Sequence, residues 1–170
     1  MRLLVRKVRF PFSVEDTLAA LFRIPQMQIF DEGWIYDYKM SPKGAKIGGY
    51  WSAPIILKKT PNSETDIYLV LTSLDIIGED HRIHGMGSKR KAIATNDAYI
   101  GGCGREKIFD PYDVDFNAMV FGELGHALGL DHHELDPSNP CNMSHSDRPC
   151  VSWARLEDVR FCENCYQKIR

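Results

Sequence analysis

The sequence contains no uninterrupted run of about 20 apolar residues, the length a membrane-spanning helix requires, so no membrane partner is expected. Its first residues, MRLLVRKVRF, scatter four basic side chains among apolar ones and lack the unbroken apolar stretch of a secretory signal. A cytoplasmic protein is therefore expected. A large charge of one sign is also missing. Lys and Arg number 21 against 23 Asp and Glu, a net charge of −2, which gives neither nucleic acid nor an anionic membrane a reason to bind. Internal repeats and low-complexity tracts are absent. Cysteines are few, five in 170 residues, and in a cytoplasmic chain they point to metal or free thiols before disulfides.

What is present suits one soluble domain over residues 1–170, divided by a cleft into residues 1–130 and 131–170. Apolar residues make up 44% and charged ones 26%, ordinary globular proportions. Residues 2–10 read as a first strand, whose interleaved Arg2, Arg6, Lys7 and Arg9 suit a solvated edge better than a basic groove. SVEDTLAALFRI begins with Ser13 as N-cap and carries Leu18, Leu21 and Phe22 at helical spacing, predicting a helix closed by Pro25. QMQIF is a short strand candidate. WSAPIILKK predicts a short helix started by Ser52 and Pro54. The continuous apolar run DIYLVLTSLDII reads as a central strand buried on both faces. GSKRKAIAT reads as another strand, whose Lys89, Arg90 and Lys91 suit a sheet edge. Phe116, Met119, Val120, Leu124, Ala127 and Leu128 trace a helical stripe, predicting a helix over about 113–129 that ends in a left-handed turn at Gly129. A last helix is predicted over roughly 152–169. Strands alternating with helices argue for an α/β fold with a mixed, mostly parallel twisted sheet.

The chemistry concentrates after Gly122. Glu123 and His126 are three apart and share a helix face, and the turn at Gly129 lets His132 come back towards His126. A zinc hydrolase needs three protein ligands, an open position for water and a general base beside it. Glu123 is placed for the base, and His126 and His132 for two ligands. The third belongs one turn before His126, where the chain has Gly122. Further on, Cys162 and Cys165 form a Cys-x-x-Cys chelate, of the kind common in structural zinc sites. Cys141 is the best third ligand. The fourth is His133, giving one histidine with three cysteines, or Cys150, giving an all-cysteine site.

Read in order, G-E-L-G-H-A-L-G-L-D-H with Met143 eleven residues further on resembles the metzincin signature H-E-x-x-H-x-x-G-x-x-H with its methionine turn. The trailing elements resemble the archaemetzincin family in particular. That family places a cysteine directly after the third histidine, then Cys-x-Met, then a distal Cys-x-x-Cys. The matching residues here are His133, Cys141 with Met143, and Cys162 with Cys165. The resemblance implies a metzincin-like fold whose helix at about 113–129 is the active-site helix, and whose residues 131–170 form a small zinc-stapled subdomain. It implies a zinc metallopeptidase that hydrolyses peptide bonds by metal-activated water with Glu123 as general base. One structural zinc is expected on His133, Cys141, Cys162 and Cys165, and a second, catalytic ion on His126 and His132. Met143 would form an apolar floor beneath the metal without binding it. The substrate would be a peptide or protein, lying extended along an edge strand near Lys89–Thr95, and the protein a monomer.

The chain departs from the family pattern in three places: Gly122 for the first ligand, His133 for the cysteine, and a longer spacer from His133 to Cys141. The alternative reading is a catalytically silent, zinc-stabilised relative that uses the cleft to bind peptides. A small zinc-ribbon adaptor or nucleic-acid binder is disfavoured by the near-neutral charge and by the Glu123–His126–Gly129–His132 spacing. His81, His84 and His145 read as loop or surface histidines, and Gly125 as a variable position.

Overall fold

A computed structural model of the protein describes every residue except 25–26, 35–45, 48–49, 101–104, 109, 135, 137, 146–154 and 170. Cys103 and Cys150 lie outside the described residues.

Strand β1 (Arg2–Val8) buries Leu3 and Val5 completely. Its basic side chains are spent on neighbouring strands. Arg2 pairs with Asp66, Arg6 with Glu32, and Lys7 Nζ lies 2.8 Å from Asp31. Helix α1 (Val14–Thr17) starts where Ser13 Oγ accepts the Asp16 N–H. It stops after one turn, and a 3₁₀ turn follows at Leu21–Arg23, so the longer helix expected from Leu18, Leu21 and Phe22 does not form. The cause is the buried Asn117, which takes over the backbone there. Its Nδ2 donates to Thr17 O at 2.7 Å and its Oδ1 accepts the Ala20 N–H, groups a continuing helix would have used itself.

Next come β2 (Gln28–Trp34), the short β3 (Lys46–Ile47) and β4 (Tyr50–Ser52), and helix α2 (Ala53–Lys59). The apolar run 66–77 is divided. β5 (Asp66–Thr72) enters the main sheet, whereas β6 (Ile76–Ile77) pairs with β4 and with β7 (Arg82–Ile83) in a second one. GSKRKAIAT is likewise not one strand. β8 (Gly85–Ser88) and β9 (Lys91–Thr95) form a hairpin turned at Lys89 and Arg90, with Arg90 in the left-handed region at φ 63°. β10 (Asp97–Ile100) and β11 (Arg105–Ile108) pair with each other. Helix α3 (Val114–Ala127) is capped by Asp113, whose carboxylate accepts the Asp115 N–H. β12 (His133–Glu134) and β13 (Ser144–His145) form a minimal parallel pair. Helix α4 (Glu163–Lys168) is much shorter than expected. Before it, Arg160 O and Cys162 N–H bond to the loop at Asn142 and Cys141, and these bonds hold the chain extended.

The main sheet runs β2-β1-β5-β9-β8, parallel throughout except for the antiparallel β8 at one edge. One face packs Leu3, Val5, Leu69, Leu71, Ala92 and Ala94 against Phe116, Val120, Phe121 and Leu124 of α3. The other packs Val8, Val70 and Ile93 against Trp51, Ile56 and Leu57. Burial on both faces accounts for the unbroken apolar sequence of β5.

The β8–β9 hairpin fixes α3. Arg90 N–H donates to Ala127 O at 2.7 Å, capping the helix C-terminus. β8 crosses so close that a β-carbon at Gly87 would overlap the carbonyl oxygen of Glu123. Only glycine permits that approach. The expected substrate edge is thereby corrected: Lys91–Thr95 is interior, between β5 and β8, and among the described residues the edge strand on that side is Gly85–Ser88. Lys91 donates to the carbonyls of Leu57 and Thr60, away from that edge.

Candidate metal centres

The C-terminal cysteines converge. Nδ1 or Nε2 of His133 and the sulfurs of Cys141, Cys162 and Cys165 lie within 4.8 Å of one another. Cys141 Sγ and Cys165 Sγ are 3.8 Å apart, and His133 Nε2 is 3.7 Å from Cys162 Sγ. Tetrahedral zinc, with Zn–S of about 2.3 Å and Zn–N of about 2.0 Å, would place such atoms roughly 3.5–3.8 Å apart. His133 Nδ1 contacts Glu134 O at 2.8 Å. A carbonyl only accepts, so Nδ1 carries the proton and Nε2 keeps its lone pair for a metal. Cys141 Sγ accepts the N–H groups of Cys162 and Met143, as a thiolate ligand would. Burial raises the Cys141 pKa; burial, together with the charge of Cys141, pushes Cys165 up to about 12. Three thiols this crowded cannot all ionise without a cation among them. A cavity of about 410 Å³ bordered by His133, Cys162, Cys165 and Lys168 gives an entry path. Among the described residues this is the one group of three or more His, Cys, Asp or Glu side chains gathered as a metal would need.

The second centre is a pair. α3 ends at Gly129, which adopts φ 84° and lets Leu130 N–H return to Gly125 O. The chain then brings His132 back to His126, and their Nε2 atoms lie 3.1 Å apart. Each ring is fixed at its other nitrogen by a carbonyl, His126 Nδ1 by Leu130 O at 3.1 Å and His132 Nδ1 by Met143 O at 3.2 Å. Both Nδ1 atoms are therefore the protonated ones, and the two Nε2 lone pairs face each other. Such lone pairs repel unless a cation or a shared proton lies between them. Two imidazoles on one tetrahedral zinc would have nitrogens about 3.3 Å apart.

No third His, Cys, Asp or Glu joins the pair among the described residues. At Gly122 a β-carbon would stand 3.2 Å from Asn142 Nδ2, which donates to Ala118 O. Glu123 turns towards the hairpin. Its carboxyl is 12% exposed, lies against Gly85, accepts the Gly87 N–H, and sits 3.5 Å from His84 Nε2. Burial raises its pKa to about 7, the Gly87 bond opposing that shift. Met143 is fully buried, with its sulfur against Gly125.

The chain has the archaemetzincin fold. It is similar to the crystal structure of archaemetzincin from Methanopyrus kandleri, with 19% identity and a TM-score of 0.61, covering 99% of this chain and 93% of that one. Archaemetzincin from Archaeoglobus fulgidus, solved with malonate, gives the same identity and TM-score and 99% coverage of both chains. A zinc-dependent peptidase from Methanocorpusculum labreanum gives 17% identity, a TM-score of 0.60 and full coverage of both. No protein-family model matches the chain, and no curated protein matches it in sequence. No helix of the described residues is long and apolar enough to cross a membrane.

Within this archaemetzincin fold, three residues carry more than their sequence positions suggested. Gly125 is required by Met143, since a β-carbon there would overlap the methionine sulfur. Asn142 occupies the space beside Gly122. His84 belongs to the surroundings of Glu123 rather than to a separate loop. The side chain of His145 lies outside what is described.

Proposed function

We propose that the chain is a zinc-dependent peptidase of the archaemetzincin type, in one domain whose residues 1–130 carry the catalytic helix and 131–170 the structural centre. His133, Cys141, Cys162 and Cys165 would hold the structural zinc. His126 and His132 would hold the catalytic one. The observation that carries the reading is the 3.1 Å approach of His126 Nε2 and His132 Nε2 with both Nδ1 atoms already committed to carbonyls. When bound there, zinc supplies a Lewis acid for the scissile carbonyl and lowers the pKa of its water. Glu123, whose side chain is nearly buried beside β8, would take that water's proton and pass it to the leaving amine. Met143 O orients His132, and the methionine side chain supports α3 from below. An extended peptide would pair with the free edge of β8. Because Gly122 brings no ligand, catalytic zinc is held more weakly than structural zinc.

The test is a zinc count with a cleavage assay on unstructured peptides. Two equivalents at micromolar free zinc are expected, with cleavage abolished by Glu123→Ala at an unchanged count. One equivalent without Glu123-dependent cleavage would sink the reading. It would favour a silent peptide-binding relative, for which the packing of Asn142 beside Gly122 is the supporting observation.

A further inference from the structure

His84 sits in the bend between β7 and β8, both of which are hydrogen-bonded into sheets. Its own carbonyl accepts the Thr95 N–H at 2.9 Å, so its backbone is anchored on both sides. From there Nε2 reaches to 3.5 Å from Glu123 Oε1. The imidazole is 45% exposed and the carboxyl 12%, which places His84 between solvent and the buried acid. Nearby charges are occupied elsewhere. Asp80 pairs with His81, Arg82 with Asp75, and Lys91 with carbonyls on the far side of the sheet. His126, the ionisable group one turn along α3, is held by Leu130 O and His132. Among the described residues, His84 is the ionisable side chain at ion-pair distance from Glu123. Opposite it, β8 offers Glu123 only the backbone of Gly85 and Gly87.

We propose that His84 is a positioning residue for Glu123, holding its carboxyl at the cleft and sharing the proton that Glu123 handles. The geometry is that of a half-exposed imidazole 3.5 Å from a nearly buried carboxyl. Glu123 is thereby part of a two-group acid–base unit rather than a lone carboxylate. The inference rests on the reading of Glu123 as the proton acceptor in peptide hydrolysis.

The pair can be tested apart from catalysis. In the full chain, the His84 ring protons are followed by NMR across pH, assigned by their loss in His84→Gln. In Glu123→Gln, the His84 midpoint should move by about half a pH unit or more, because the group 3.5 Å away no longer titrates with it. An unchanged midpoint overturns the proposal. In the zinc-loaded protein, His84→Ala should lower kcat about tenfold with little change in KM, because the carboxyl loses the imidazole that stands 3.5 Å away. His84→Gln, which keeps a donor at similar reach, should recover part of the loss. His84→Ala with wild-type kcat and pH profile also overturns it. Absence of cleavage by the parent protein would defeat the peptidase reading, while the NMR result would still decide whether the pair exists.

Discussion

Asn142 crowds the place where a side chain at position 122 would begin: a β-carbon on Gly122 would lie 3.2 Å from Asn142 Nδ2. The carboxamide is also fixed, through its bond to Ala118 O at 2.7 Å and its backbone bond to Arg160 O. Placing an imidazole at position 122 is therefore coupled to residue 142. Gly122→His should tighten zinc at the second centre roughly 10–100-fold, at least the scale of a lost outer-shell partner. Combining it with Asn142→Ala should tighten it further, because the new side chain no longer has to displace the amide. Zinc titration of the two variants checks this. Equal affinities would clear Asn142 as an obstacle.

Gly125 and Met143 are a second coupled pair. A β-carbon at 125 would overlap the Met143 sulfur and stand 3.2 Å from Phe161, in a region where Met143 and Phe161 are almost wholly buried. Gly125→Ala raises helix propensity but overpacks this contact, for a net loss of about 1–3 kcal/mol. Tm should fall by roughly 2–4 °C per kcal/mol. Moving Met143 also moves the carbonyl that holds His132 Nδ1 and the His133 N–H. Thermal melts and zinc counts on the same sample should therefore decline together.

Much of this was legible in residue order, because helical period and glycine turns are local properties. The spacing of Glu123, His126, Gly129 and His132, the Ser13 and Ser52 starts, and the closeness of Cys162 to Cys165 all depend on neighbours along the chain. What could not be read depends on contacts across it. The one-turn α1 is ended by Asn117 from another helix. The hairpin at Lys89 and Arg90 has no Gly, Asn or Pro to mark it, and the left-handed Arg90 is held by bonds to Tyr68 and Ala127. His84 meets Glu123 only because that hairpin crosses α3.

The structural centre separates the two candidate fourth ligands. If the proposed zinc is held there, His133→Ala should lose it and lower Tm by roughly 10 °C or more, since a metal on these four residues would tie the loop to α4. Cys150→Ser should leave both the zinc count and Tm unchanged. His133→Cys should keep the metal, because a fourth thiolate suits a tetrahedral zinc equally well. Loss of zinc in Cys150→Ser instead would reassign the ligand set.

Glu123 should leave a mark on the pH dependence of stability in the metal-free protein. Burial raises its pKa from the ordinary 4.5 to about 7, so the folded state binds its proton more tightly than the unfolded chain does. Folding bears no penalty below pH 4.5, and one develops as pH rises towards 7, because the unfolded chain then releases a proton that the buried carboxyl keeps. A shift of this size corresponds to about 3 kcal/mol. Glu123→Gln removes the ionisation and keeps the shape. Its metal-free Tm should match the parent near pH 4.5 and exceed it by roughly 6–12 °C at pH 8. With zinc bound, a cation near the cleft favours the carboxylate, and the difference between the two proteins should narrow. Parallel Tm profiles across this range would remove Glu123 as the source of the pH dependence.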